Sequence, residues 1–246
     1  MRFFNGGKKN ISFNKSDARK LLRHDSPFGI KEAYSSIRTN ILFTGAGEKC
    51  PVYAVTSPLP NDGKTINCIN LAVSFALMGK KTLLIDADMR NPTIHHFFSA
   101  PLQNGVSEIL AGLESNINFE QTDLPLLKYL NAGKIPPNPA ELLSGSRLDK
   151  LIEIAREHFD YIFIDTPPVC VVTDATVLAK KVTGYIFIVK DGKSDIRIIK
   201  QAVASLEQVG ATVAGFILND VSPKSAPAYQ RYSTKYQYAG TTNTRR

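Results

Sequence analysis

Residues 52–65 constrain this chain more than any other stretch. The apolar run Val52-Tyr53-Ala54-Val55-Thr56-Ser57 leads into Pro58-Leu59-Pro60-Asn61-Asp62-Gly63-Lys64-Thr65, and a helical pattern follows. Strand, tight loop ending in Gly-Lys-Thr, then helix is the layout of a phosphate cradle. Backbone N–H groups at the helix start converge on phosphate oxygens, aided by the helix dipole. Gly63 has no Cβ and lets the backbone come close. Lys64 would set a charge on the β- and γ-phosphates of a nucleotide, and Thr65 would offer its hydroxyl to Mg²⁺. Pro58 stands where the general pattern begins with Gly. Asn61 stands where Gly often eases the turn, a position Asn tolerates. Read alone, the stretch also fits an ordinary strand–helix loop with a surface lysine.

The rest of the chain reads as strands alternating with helices. After Ser26-Pro27, an N-cap and first-turn proline, a helix is expected to about Phe43, with Ile30, Tyr34, Ile37 and Ile41 on one stripe. Ile66, Ile69, Ala72, Val73, Ala76 and Leu77 mark a buried helix face. Apolar strands are expected at 81–85, 126–130, 161–164, 185–189 and 213–218. Helices are expected at 106–110, 140–143, 146–158, 174–181 and 195–209. Strands apolar throughout and separated by helices predict an α/β, doubly wound, mainly parallel sheet of the P-loop NTPase kind, covered on both faces. Ligands of such sheets bind at strand C-terminal ends. The expected division is a basic arm over 1–25, one domain over 26–221 and a tail over 222–246.

Charge sharpens that division. The 246 residues carry a net charge of +8. Residues 1–31 hold eight Lys/Arg against two Asp, and residues 222–246 hold five Lys/Arg and no acid. The body between them is therefore −3, and the basic excess lies at the ends. Such ends suit an anionic membrane surface or an acidic partner, or are simply solvated. Cys50, Cys68 and Cys170 are scattered without metal or disulfide spacing, which fits a reducing, cytoplasmic setting. His95-His96 reads as a surface pair. No apolar run reaches membrane-spanning length.

Three carboxylates accompany the loop. Asp165 ends the strand 161–164, where an Asp commonly supports a Mg²⁺ held by the loop hydroxyl; helix N-capping is its other reading. Asp86 and Asp88 end the strand 81–85. Two-residue spacing in extended backbone puts both on one side. One could accept a proton while the other holds a metal, since a free hydroxyl is a weak nucleophile near neutral pH. Arg90 is a further candidate for neutralising phosphate charge, or a plain surface charge.

Four of the nine tyrosines, Tyr229, Tyr232, Tyr236 and Tyr238, lie within ten residues of the basic tail. Their neighbours are polar, which argues against a core stripe. Stacking on nucleic acid would suit such a segment, but beside a phosphoryl-transfer site the tail reads as a substrate, and no nucleic-acid partner is expected.

At these residues the chain resembles the bacterial tyrosine autokinases of capsule and exopolysaccharide synthesis. Pro60-Asn61-Asp62-Gly63-Lys64-Thr65 is similar to that family's Pro-Gly-Glu-Gly-Lys-Ser/Thr loop. Leu83-Leu84-Ile85-Asp86-Ala87-Asp88-Met89-Arg90-Asn91-Pro92 resembles its second acidic motif, and Tyr161-Ile162-Phe163-Ile164-Asp165-Thr166-Pro167-Pro168 its third. The resemblance implies ATP and Mg²⁺ as cofactors and phosphorylation of the four tail tyrosines between subunits. Residues Pro60 to Ile66 would bind the nucleotide, and Asn219 would lie near the adenine. Thr65, Asp88 and Asp165 would serve the metal. Asp86 would be the tyrosine's base, although the roles of Asp86 and Asp88 could be exchanged.

The resemblance further implies a ring of subunits and a membrane-bound activator, a polysaccharide co-polymerase whose cytoplasmic segment docks on the chain. The protein would then sit peripherally at the inner face of the membrane, and a phosphotyrosine phosphatase would oppose it. The family's assembly motif is Glu-x-x-Arg-x-x-Arg. Glu32 and Arg38 match it, but Ser35 replaces the middle Arg and cannot form the bidentate ion pair an Arg can.

Three other readings compete. A partition or positioning ATPase typically carries a signature lysine where Leu59 stands. An iron–sulfur ATPase needs a cysteine pair. A nucleotide-gated adaptor with docking tyrosines shares every motif, and only turnover separates it from a kinase.

Overall fold

The structure is a computed structural model that describes residues 21–222. The two terminal segments, and with them Tyr229, Tyr232, Tyr236 and Tyr238, lie outside the described residues.

Seven strands form one sheet in the order β3-β4-β2-β5-β1-β6-β7. They are β1 (Val52–Thr56), β2 (Thr82–Asp86), β3 (Glu120–Gln121), β4 (Leu127–Leu130), β5 (Tyr161–Asp165), β6 (Gly184–Lys190) and β7 (Val213–Asn219). All pairings are parallel except β3 with β4. Every residue of β1 and β2 is buried, as continuous apolar strands require when both sheet faces are covered.

The helices are α1 (Phe28–Thr44), α2 (Lys64–Leu77), α3 (Ile94–Phe97), α4 (Val106–Ala111), α5 (Pro139–Ser144), α6 (Ser146–His158) and α7 (Ile196–Glu207). Two apolar clusters sandwich the sheet. One joins Ile69, Ala72 and Phe75 of α2 to Tyr53, Leu84 and Phe163, and the other joins Leu148, Leu151 and Ile152 of α6 to Val52, Leu83 and Ile162. On the first face Phe75 lies against the rings of Tyr161 and Phe163, with centroids 4.4 and 5.2 Å away. Helix α1 packs outside α2.

Four features depart from the sequence expectations. The helix expected over 174–181 is only a 3₁₀ turn at Thr176–Leu178. The short strand β3 and helix α3 carry too few residues to show a period. His95 is buried rather than on the surface, with its ring 3.9 Å from that of His96. Leu22, read as part of the arm, is buried in the cluster beneath α1, and its N–H donates to Asn70 Oδ1 at 2.7 Å.

Candidate active site

Sheet register assembles the site before any side chain contributes. β5 lies between β1 and β2, so Asp165 stands beside Val55 on one side and Asp86 on the other. The loop after β1, the acidic pair after β2 and Asp165 therefore share one end of the sheet, where parallel strands deliver ligand groups.

The loop is braced from within. Ser57 Oγ donates to Leu59 O at 2.7 Å, and Leu59 N–H donates to Asp62 Oδ2 at 3.3 Å. Asn61 and Gly63 adopt φ of 67° and 91°, the left-handed region that Asn and Gly enter most readily. Gly63 is required on two counts: besides its φ, a Cβ there would lie 2.1 Å from Asn219 Nδ2. That carboxamide donates to Asp62 O at 2.9 Å, while Asn67 Nδ2 donates to Gly63 O at 2.9 Å. Two consecutive peptide planes are thus held by their carbonyls. In a trans peptide the N–H points opposite to the C=O, so both N–H groups are aimed away from those braces. Helix α2 begins at Lys64, directly after them.

Lys64 folds back over the acidic residues. Its Nζ is 2.7 Å from Asp88 Oδ2 and 3.6 Å from Asp165 Oδ2, and it donates to Thr65 Oγ1 at 3.2 Å. Burial alone would lower the ammonium's pKa, but the Asp165 and Asp88 carboxylates outweigh it and hold the group above the usual lysine range. Thr65 Oγ1 donates to Asp165 Oδ2 at 2.7 Å. Burial pushes the Asp165 carboxyl up to about 6, against the opposing pull of Lys64.

Asp86 is sealed. Its Oδ1 accepts from Asp88 N–H at 3.2 Å and its Oδ2 from Ile94 N–H at 3.1 Å. Burial, reinforced by Asp165 and Asp88, holds its pKa well above the ordinary carboxylate value. Asp88 Oδ1 accepts from Asn91 N–H at 3.1 Å, which leaves Oδ2 for Lys64.

Asp165 Oδ1 is buried and has no hydrogen-bond partner. Such an acceptor costs stability unless something meets it. Among the described residues no three His, Cys, Asp or Glu side chains form a ready-made metal cage. Mg²⁺ bound with a nucleotide needs none, because phosphates and water fill most of its octahedron. The Thr65 hydroxyl, Asp88 and the unmet oxygen of Asp165 fit that mode of binding.

The other candidates are placed less centrally. Pro60 and Asn61 are exposed at the loop rim, and Ile66 is half-buried in the first turn of α2. Asn219 braces the loop at Asp62. Arg90 does not reach toward the loop: its Nε and Nη2 each lie 2.8 Å from the two oxygens of buried Asp174. Glu32 is exposed on α1, and Arg38 is satisfied within its own chain, by Ser74 O and Oγ through Nη1 and by Ser35 Oγ through Nη2. Sequence reasoning passed over Asn67, Asn70 and Asp174. Two asparagines three residues apart inside an apolar helix were the available signal, since buried amides must find partners.

Residues 61–193 match the family model described as AAA domain. The chain is 38% identical over 198 residues to the tyrosine-protein kinase CpsD of Streptococcus agalactiae serotype Ia, covering 80% of this chain and 84% of that one. The crystal structure of the chimerical protein CapA2B2 superposes with a TM-score of 0.77 at 33% identity, over 82% of this chain and 90% of that one. The kinase domain of the Escherichia coli tyrosine kinase ETK gives 0.74 at 32% identity, over 78% and 75%.

Proposed function

The chain belongs to the bacterial tyrosine-protein kinases, and from that premise we propose that it transfers the γ-phosphoryl group of ATP to tyrosines of its own C-terminal tail. The observation that carries the proposal is the convergence of Lys64, Thr65, Asp86, Asp88 and Asp165 beside the start of α2. The acceptors are Tyr229, Tyr232, Tyr236 and Tyr238, each presented by one subunit to another subunit's site.

Phosphoryl transfer of this kind is mostly positioning and charge neutralisation. The loop's backbone N–H groups hold the phosphates. Lys64 leaves Asp88 to pair with the β- and γ-oxygens. Thr65, Asp88 and Asp165 would hold Mg²⁺, which would supply positive charge to the phosphates. The bond from the γ-phosphorus to the β–γ bridging oxygen breaks and a bond to the tyrosine oxygen forms. The phenolic proton passes to a carboxylate, Asp86 in this proposal because Asp88 would be engaged by the metal, and ADP leaves.

Glu32 and Arg38 would help assemble subunits into a ring. Arg38 is bonded to Ser74 and Ser35 of its own chain, and Ser35 stands in place of a second arginine, so ring contacts are expected to lean on Glu32. Phosphorylation adds about −1.5 to −2 charge per tyrosine, which would favour tail release. The resemblance supports a membrane-bound activator with a cytoplasmic docking segment, an opposing phosphotyrosine phosphatase, and control of capsular or extracellular polysaccharide export. Among the described residues no helix is long and apolar enough to cross a membrane; the resemblance supports attachment to the membrane face through the activator.

The test is incubation with MgATP, with and without the activator's cytoplasmic segment, followed by mass spectrometry of the tail. A Lys64→Met chain mixed with a chain whose four tail tyrosines are phenylalanine separates the routes. Phosphate on the Lys64→Met tail is expected, because the other chain supplies the site. A wild-type tail that stays unmodified with activator present, while ATP is hydrolysed to free phosphate, would sink the kinase reading in favour of a nucleotide-gated adaptor.

A further inference from the structure

A hydrogen-bonded path runs from α1 to the phosphate loop. The Tyr34 hydroxyl donates to Asn67 Oδ1 at 2.9 Å and accepts from Asn70 Nδ2 at 3.0 Å. Asn67 Nδ2 then donates to Gly63 O at 2.9 Å, a carbonyl that also accepts Asn67's own N–H at 3.1 Å. Behind Asn70, its Oδ1 accepts from Leu22 N–H. Both asparagines are almost fully buried.

The order of donors and acceptors matters more than the number of bonds. A carboxamide is near-symmetric in shape but opposite in polarity at its two ends. The Tyr34 hydroxyl meets the oxygen end of Asn67, so the NH₂ end must face Gly63. Were the amide reversed, two oxygens would oppose each other there. Held in this sense, the Gly63 carbonyl stays on the helix side, and the N–H of Lys64 in the same peptide points to the cradle.

We propose that Tyr34 and Asn67 are positioning residues for nucleotide binding: the tyrosine hydroxyl fixes the amide, and the amide fixes the Gly63–Lys64 peptide that faces the phosphates. A shift of α1 against α2 is therefore read directly at the loop. Tyr34 itself is no phosphoacceptor. Its hydroxyl is engaged on both sides, and burial, only partly offset by the bond from Asn70, holds its pKa above the ordinary phenol value. The inference rests on the loop's role in holding nucleotide phosphates and not on the identity of the acceptor.

Calorimetric titration of ADP with Mg²⁺ tests it on the full chain, using wild type, Tyr34→Phe, Asn67→Ala and the double variant, with Asn67→Ser as a milder alternative. A hydrogen bond of ordinary net strength predicts a Kd raised about three- to tenfold in each single variant. The two residues act in series, so the double variant should be no worse than the weaker single one. In turnover the loss should fall on the KM for ATP and leave kcat nearly unchanged. Wild-type Kd in Tyr34→Phe with only the melting temperature lowered would reduce the hydroxyl to a packing role and overturn the proposal. So would losses that multiply in the double variant. Absence of ADP binding by the wild-type chain would overturn the loop reading and the relay together.

Discussion

Lys64→Met is expected to cut tail-tyrosine phosphorylation about a hundredfold or more at saturating ATP, the scale on which one electrostatic contact to a transition state is worth about 3–4 kcal/mol. Methionine keeps most of the unbranched stem and removes the ammonium, so the loss reports the missing charge and its hydrogen bonds. A second effect separates this site from a solvent-exposed lysine. The ammonium sits on Asp88 and Asp165, whose side chains are 5% and 0% exposed. Removing one partner of a buried pair costs about 3–5 kcal/mol. Protonation of Asp165, whose pKa already stands near 6, should recover part of that. The melting temperature without nucleotide should fall, and fall less at pH 5.5 than at pH 8. Wild-type phosphorylation by Lys64→Met would remove the lysine from the chemistry.

The second large effect divides the two strand-end aspartates. If Asp86 takes the phenolic proton, Asp86→Asn should lower kcat by about 10²–10⁴ while ADP affinity changes little. Asp88→Asn should mainly raise the Mg²⁺ concentration needed for half-maximal rate. Asp86 also accepts two backbone N–H groups, and an amide can accept only one of them in that geometry. About 1–3 kcal/mol of stability should be lost with it, so rates must be compared at temperatures where circular dichroism shows both variants folded. An Asp86→Asn chain that phosphorylates within tenfold of wild type would assign the base elsewhere.

Much of this architecture was legible because its signals were long and one-sided. Val52–Thr56, Thr82–Asp86 and Tyr161–Asp165 are apolar runs ending in chemistry, and such runs cannot hide in a two-sided parallel sheet. The loop, the acidic pair and Asp165 followed from those strand ends. What escaped was local or relational. A two-residue strand has no period, and Glu120–Gln121 could not announce itself. The helix expected at 174–181 is cut to a 3₁₀ turn at Thr176–Leu178, and Asp174 ahead of it is bound by Arg90, a contact between distant segments. That same ion pair explains why Arg90, read from sequence as a candidate for phosphate, is occupied away from the loop. Asn67 and Asn70 lie among the apolar positions of their helix. Their partner Tyr34 lies on another helix, and no spacing rule within one element can reveal a contact between two.

Counted as ions, the site's own side chains have the wrong sign for its cargo. Among the described residues Lys64 is the one cation paired with Asp88 and Asp165. A bare polyphosphate entering there meets an excess of carboxylate and must also displace Asp88 from the lysine. The pocket thus behaves like a cation-exchange resin whose resident counter-ion is tethered by its own side chain. Polyphosphate should pass as a metal chelate more easily than as a free anion. Titration of ADP in EDTA should accordingly give tighter binding for Asp88→Asn than for wild type, with the advantage shrinking once Mg²⁺ is restored; equal metal-free affinities would contradict it. The aspartates would then act as a filter on the charge state of the nucleotide before any bond is made or broken.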